Sequence, residues 1–119
     1  MNMTDKKYRI LTDPNFNFLL ISFKGKVDAG DMFAVLDEIY TSKEINPQFP
    51  TVYDFTDSTS LGYRIELFSF IDQIRKFRSG ISSKKKIGII VDSLNQKFLV
   101  KLFISLVKGV GLEVEMFED

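Results

Sequence analysis

Residues 51–63, TVYDFTDSTSLGY, pass from a strand-like apolar stretch into a run of hydroxyls and carboxylates: Thr56, Asp57, Ser58, Thr59 and Ser60. Such side chains at the end of a strand could carry a phosphoryl group on Ser58 or Ser60, or bind a ligand on a polar rim. A phosphate there would add roughly two negative charges beside Asp57 and repel an acidic partner. The same residue types also serve as turn and capping groups that bond their own backbone. Ser93, after Asp92, is a second rim candidate, because a helix starting there would present free backbone donors. Asp54 shares a strand face with Val52 and Thr56, where burial would raise its pKa toward that of a working acid or base. A strand-end aspartate bonded to a neighbouring turn is the more common arrangement, and a single carboxylate is weak evidence for catalysis.

Composition closes many other chemistries. The 119 residues contain no His and no Cys. No Ser-His-Asp or Cys-His nucleophile pair can be built, no disulfide can form, and a metal would depend on oxygen ligands alone. Sixteen basic and sixteen acidic side chains cancel, so no global field gathers nucleic acid. The opening MNMTDKK is polar and nowhere do about eighteen apolar residues run together, which argues against a signal core and a membrane span. A cytoplasmic protein in a reducing compartment is expected, without cofactor or metal, and not an enzyme. The GVG at 109–111 lacks the helix and lysine of a phosphate-cradling loop.

These residues must be positioned by a small set of elements. KYRILT at 7–12 alternates as a strand with one wet face, and DPN at 13–15 supplies turn chemistry leading into a second strand over 16–24. Both faces of that second strand carry large apolar residues, so both are expected to be covered. Met32, Phe33, Val35, Leu36, Ile39 and Tyr40 recur at helical spacing, with Asp28 as cap, predicting a helix over 29–42 that Pro47 and Pro50 prevent from continuing. TVYDF at 51–55 is the third strand and 56–63 the turn after it. A second helix is predicted over 64–79, stopped by Gly80, with Arg75, Lys76 and Arg78 at its end. KIGIIVD at 86–92 reads as a central strand buried on both faces, with Gly88 closely approached by a helix. Ser93 and Gln96 form a capping box opening a third helix at Leu94, and LEVEMF at 112–117 alternates as a last edge strand. Lys84, Lys85 and Lys86 are expected to solvate the entrance of the fourth strand, with an anionic-surface patch shared with Lys97, Lys101 and Lys108 as the alternative. The order β-β-α-β-α-β-α-β predicts one α/β domain over 1–119: an open mixed five-stranded sheet, parallel after an N-terminal hairpin.

Three segments, FLLISFKGKVDAGDMFAVLDEI, PTVYDFTD and KKKIGIIVDS, together with that order, resemble a STAS-type, SpoIIAA-like domain. The likeness extends to bacterial anti-sigma factor antagonists and, more distantly, to the ligand-holding CRAL-TRIO domains. In the antagonists a serine after the third strand, within an Asp-Ser-Ser-Gly-like run, is phosphorylated by a partner kinase. Here DFTDSTSLG offers Asp57, Ser58, Ser60 and Gly62 at tighter spacing. The resemblance implies a small regulatory domain that acts by protein contact.

The third helix sharpens this expectation. Lys97, Lys101, Ser105 and Lys108 occupy an arc of roughly 80°, while apolar side chains fill roughly 240°. One sheet face needs a narrower stripe than that, so Val100, Phe103, Ile104 and Val107 are left to be hidden by the second helix, by another protein, or by an apolar ligand. Packing by the second helix is the plainest of these covers; for function, a protein partner or homodimer, with these four residues as its interface, is the leading expectation. A carrier or sensor of a small apolar or anionic molecule is the alternative.

Overall fold

The computed structural model describes residues 7–13, 15, 17–59 and 64–118. The elements follow in the expected order: β1 (Tyr8–Asp13), β2 (Phe18–Lys26), α1 (Ala29–Thr41), β3 (Thr51–Thr59), α2 (Arg64–Phe77), β4 (Lys85–Val91), α3 (Leu94–Leu106) and β5 (Leu112–Glu118). They build one five-stranded sheet in the order β1-β2-β3-β4-β5. β1 and β2 are antiparallel, with Ile10 opposite Ile21, and the other three pairings are parallel. The turn between β1 and β2 uses the anticipated aspartate: Asp13 Oδ1 accepts from the Asn15 amide at 2.9 Å.

Spatial order equals sequence order, so every β-α-β crossover steps in the same direction. With right-handed crossovers, all three helices then fall on one face of the sheet. Burial follows this rule. On β2, Leu19, Ile21 and Phe23 are buried under the helices, whereas Phe18, Leu20 and Ser22 on the opposite face are half-buried. The expectation that β2 and β4 are covered on both faces is therefore corrected: a strand flanked by helices on one side only keeps its second face partly open. Gly88 is corrected with it. A Cβ there would meet the Phe117 ring at 3.2 Å and Val52 at 3.8 Å, so side chains on the helix-free face, not a helix, make the close approach.

The core under the helices is rich in aromatic rings. Phe23 stacks on Phe55 with centroids 4.5 Å apart and lies 6.4 Å from Tyr53. Val35, Leu36 and Ile39 of α1, Ile71 and Ile74 of α2, and Val100 and Phe103 of α3 pack into the same cluster. α1 starts from Asp28, whose side chain accepts from the Asp31 amide while the Asp31 carboxylate accepts from the Asp28 amide. α2 ends at Phe77, and Gly80 shortly after it adopts φ 84°, a left-handed conformation that costs glycine little.

Candidate functional site

β3 continues to Thr59, four residues into the predicted turn. Its pairing with β2 shifts between Ser22/Lys24 and Asp54/Asp57, which inserts one extra residue into β3. A bulge of this kind exchanges the faces to which later residues point. Thr51, Tyr53 and Phe55 face the helices before it, and Ser58 does so after it. Asp54 stabilises the bulge, its Oδ1 accepting from the Thr56 amide at 3.0 Å and the Thr56 hydroxyl at 2.8 Å. That carboxylate thus has a local bonding role in the strand.

Ser58 is buried and its hydroxyl donates to the Phe55 carbonyl at 2.8 Å. A kinase cannot reach such a group without opening the strand, so the burial of Ser58 favours the reading in which its hydroxyl bonds the local backbone over the reading in which it is phosphorylated. Asp57 beside it is exposed, and Ser60 lies outside the described residues. Ser93 caps α3, its Oγ accepting from the Gln96 amide at 3.1 Å. The predicted capping box does not close on Ser93. The Gln96 side chain instead accepts from the Asp92 amide at 3.0 Å and donates to the carbonyls of Phe55 at 3.1 Å and Ser58 at 3.0 Å. Gln96 is fully buried, so it ties the bulged end of β3 to the start of α3. Replacing Gln96 with leucine is expected to lower stability by about 2 kcal/mol, because the Phe55 carbonyl keeps Ser58 and the Asp92 amide can reach water, leaving the Ser58 carbonyl as the main orphan. Urea unfolding would show this as a lower midpoint at unchanged slope.

On α3, Val100, Phe103 and Val107 belong to the core and Ile104 packs against it. The interface considered on these four residues is corrected: Val100, Phe103 and Val107 are buried within the chain, and the Phe70 ring of α2 lies 6.1 Å from that of Phe103. The exposed apolar side chains of α3 are Leu94 and Phe98 instead.

What the helices and sheet do leave between them is a cavity of about 100 Å³, reached between α1, α2 and α3 and lined by Leu36, Leu67, Phe70, Ile74, Leu99 and Phe103 among others. Its polar lining comes from Tyr40, Tyr53, Glu66 and Lys85. Lys85 is only 2% exposed. Its Nζ stands 5.6 Å from the centre of the Tyr40 ring, and burial, reinforced by the nearby Arg78 charge, pushes its pKa down to about 8. Burial likewise holds the Tyr53 phenol protonated well above its ordinary range. The triple-lysine expectation is thus corrected at its middle member. Lys85 shares strand parity with Ile87 and Ile89, and that period of two was the signal available to find it.

Arg78, just after α2, is buried as well, where the sequence suggested a cation at a helix end. Nε donates to the Val110 carbonyl at 3.2 Å, and Nη2 donates to the carbonyls of Ser83 at 2.6 Å and Gly111 at 3.3 Å. Nη1 donates to Gln48 Oε1 at 3.3 Å and the Tyr40 hydroxyl at 3.4 Å. The Gly111 carbonyl also accepts from the Lys85 amide at 2.9 Å. One guanidinium therefore joins the end of α2, the approach to β4 and the α3–β5 loop. Among the described residues, no three His, Cys, Asp or Glu side chains gather to hold a metal, and no helix is long and apolar enough to cross a membrane.

No family model matches the chain, and no curated protein matches it. Among solved structures it is similar to an uncharacterized protein of the DUF3478 family with a SpoIIAA-like fold from Shewanella loihica PV-4. The two share 18% identity over 94% of this chain and 85% of that one, with a TM-score of 0.57. The element order, the one-sided helix layer and this likeness agree: the chain is an α/β domain of SpoIIAA-like fold.

Proposed function

We propose that this domain holds a small apolar molecule between its helices and its sheet, as a carrier or sensor and without transforming it. The observation that carries this reading is the cavity itself: about 100 Å³ of space ringed by aliphatic and aromatic side chains, with its polar groups confined to Tyr40, Tyr53, Glu66 and Lys85. Sites for small molecules combine mostly apolar walls with a few polar groups that fix orientation. An apolar cavity of roughly 150 Å³ accepts benzene, so a smaller guest suits the enclosed part of this one. Uptake of 1-butanol, followed through the methyl resonances of Leu36, Leu67 and Val100, is expected to saturate. Leu99→Phe, which fills the cavity from α3, is expected to abolish it. Shifts that never saturate, or that persist unchanged in the filled variant, would dismiss the cavity as a binding site.

Regulation by protein contact is the second reading, and the helix-free face of the sheet favours it. Leu11 and Phe117 on that face are 43% and 48% exposed, with Leu20, Val52 and Ile90 half-buried between them. If the contact is with a second copy, light scattering over a hundredfold concentration range should show mass rising with concentration. Phe117→Lys should hold the mass at one chain.

A further inference from the structure

Lys85 is a costly residue to place at a cavity wall. An ammonium has three donors and no acceptor, and among the described residues this one has no hydrogen-bond or ion-pair partner; its polar neighbour is the face of Tyr40. Arg78, the second buried cation here, is bonded to carbonyl, amide and hydroxyl oxygens and to no carboxylate. The ion pairs among the described residues lie elsewhere, between Lys7 and Asp31, Arg75 and Asp72, Lys84 and Glu113, and Lys97 and Glu118. The cavity wall thus carries one positive charge, Lys85, with no ion-paired anion among the described residues; Arg78 lies near it but outside the lining, and Glu66 is the one acidic residue that lines the cavity, from the first turn of α2.

A neutral guest would leave that ammonium uncompensated and would deepen its desolvation. A guest with an anionic head would supply a charge-assisted hydrogen bond where the protein supplies none, while its tail occupied the apolar walls. We propose that the cavity selects a short-chain monocarboxylate, its carboxylate set against the Lys85 ammonium beside Tyr40 and its tail among Leu36, Leu67, Phe70 and Phe103. This rests on the reading that the cavity binds a small molecule, and adds the class of that molecule. The volume of about 100 Å³ accommodates a tail of about three to five carbons, by comparison with the benzene-sized cavity above.

The test uses the whole chain and two probes with the same tail, sodium butyrate and 1-butanol, each titrated at pH 7 with the same methyl resonances as readout. Butyrate is expected to bind at least tenfold more tightly. In Lys85→Met, which keeps the volume and removes the charge, 1-butanol should still bind and the preference for butyrate should vanish or invert. The groups closest to Lys85 are the Tyr40 ring from α1 and the Arg78 guanidinium after α2, while Tyr53 from β3 and Glu66, at the opposite end of α2, line the same cavity. Since Lys85 loses its proton first on the alkaline side, the preference in the unaltered chain should decline between pH 8 and 10. Equal affinities at pH 7, or a butyrate preference that survives in Lys85→Met, would overturn the carboxylate assignment and leave the cavity reading standing. Uptake of neither probe would remove both.

Discussion

Arg78→Lys is expected to lower the stability of the fold by about 4 kcal/mol, the largest loss anticipated for a single conservative change. The guanidinium donates to oxygens on three segments remote from one another in sequence: Gln48 and Tyr40, Ser83, and the pair Val110 and Gly111. Its donors are arranged in a rigid planar fork, whereas an ammonium is a compact point charge that cannot span acceptors on opposite sides. Lysine would keep the buried charge and abandon several carbonyls, and each buried acceptor left without a donor costs about 1–3 kcal/mol. Equilibrium unfolding in urea would register the loss. Tyr40→Phe, which removes only the 3.4 Å contact, should cost about 1 kcal/mol or less. If both variants unfold at the same midpoint as the parent, the clamp contributes nothing and the packing alone holds these loops.

The second large effect has the opposite sign. Lys85→Met is expected to stabilise the protein at pH 7 by on the order of 2–3 kcal/mol, because it removes a buried charge that lacks an anionic partner. The pH dependence provides the control. The amine has a pKa of about 8 in the fold against 10.5 when unperturbed. Below pH 8 it is protonated in both states and the full cost of burying its charge is present. As pH rises through 8 the folded state releases its proton while the unfolded state still holds one, so stability increases by about 1.4 kcal/mol per pH unit. Above pH 10 the trend reverses. Burial raises the Tyr8 phenol to about 12, with its 2.9 Å bond to Glu38 adding to the effect, and burial raises Tyr53 further. Both then bind protons in the fold that the unfolded chain has lost. Stability should therefore climb from pH 8, peak near pH 10 and fall beyond it, and the climbing limb should be missing in Lys85→Met. A parent profile that is level from pH 7 to 10 would mean that the amine is hydrated in the fold, which would also weaken the case for an anion there.

The two predictions meet at one place in the molecule. Arg78 is held by oxygens that the chain itself provides, and Lys85, on the next strand, is not. A site that binds something often retains a group that stability alone would discard. The Lys85→Met measurements separate the two roles, since stability should rise while the preference for butyrate over 1-butanol is lost.

Local chemistry made much of the architecture legible. The change of hydrophobic period from two to three and four at Asp28, Pro47 and Pro50 after α1, Gly80 after α2 and the Ser93 cap before α3 all act within a few residues, and the elements fall where those signals place them. The site was less legible for reasons equally physical. β3 outran its predicted end because pairing with Lys24, Gly25 and Lys26 holds Asp57, Ser58 and Thr59 extended, and a partner strand is invisible to local propensity. The bulge then turned Ser58 inward and left Asp57 outside. For α3, the count of apolar residues was right, but how much of the arc a neighbouring helix covers depends on packing distance.

By itself, then, the sequence determined the succession of elements and the exclusion of imidazole and thiol chemistry, because each depends on residue identity or short-range spacing. Tertiary structure alone decided that all the helices share one face, that Gln96 and Arg78 are internal ties, and that Lys85 borders a cavity instead of solvent. Burial and electrostatic partnership are set by whatever the fold brings alongside a residue, and those neighbours come from elements far away along the chain.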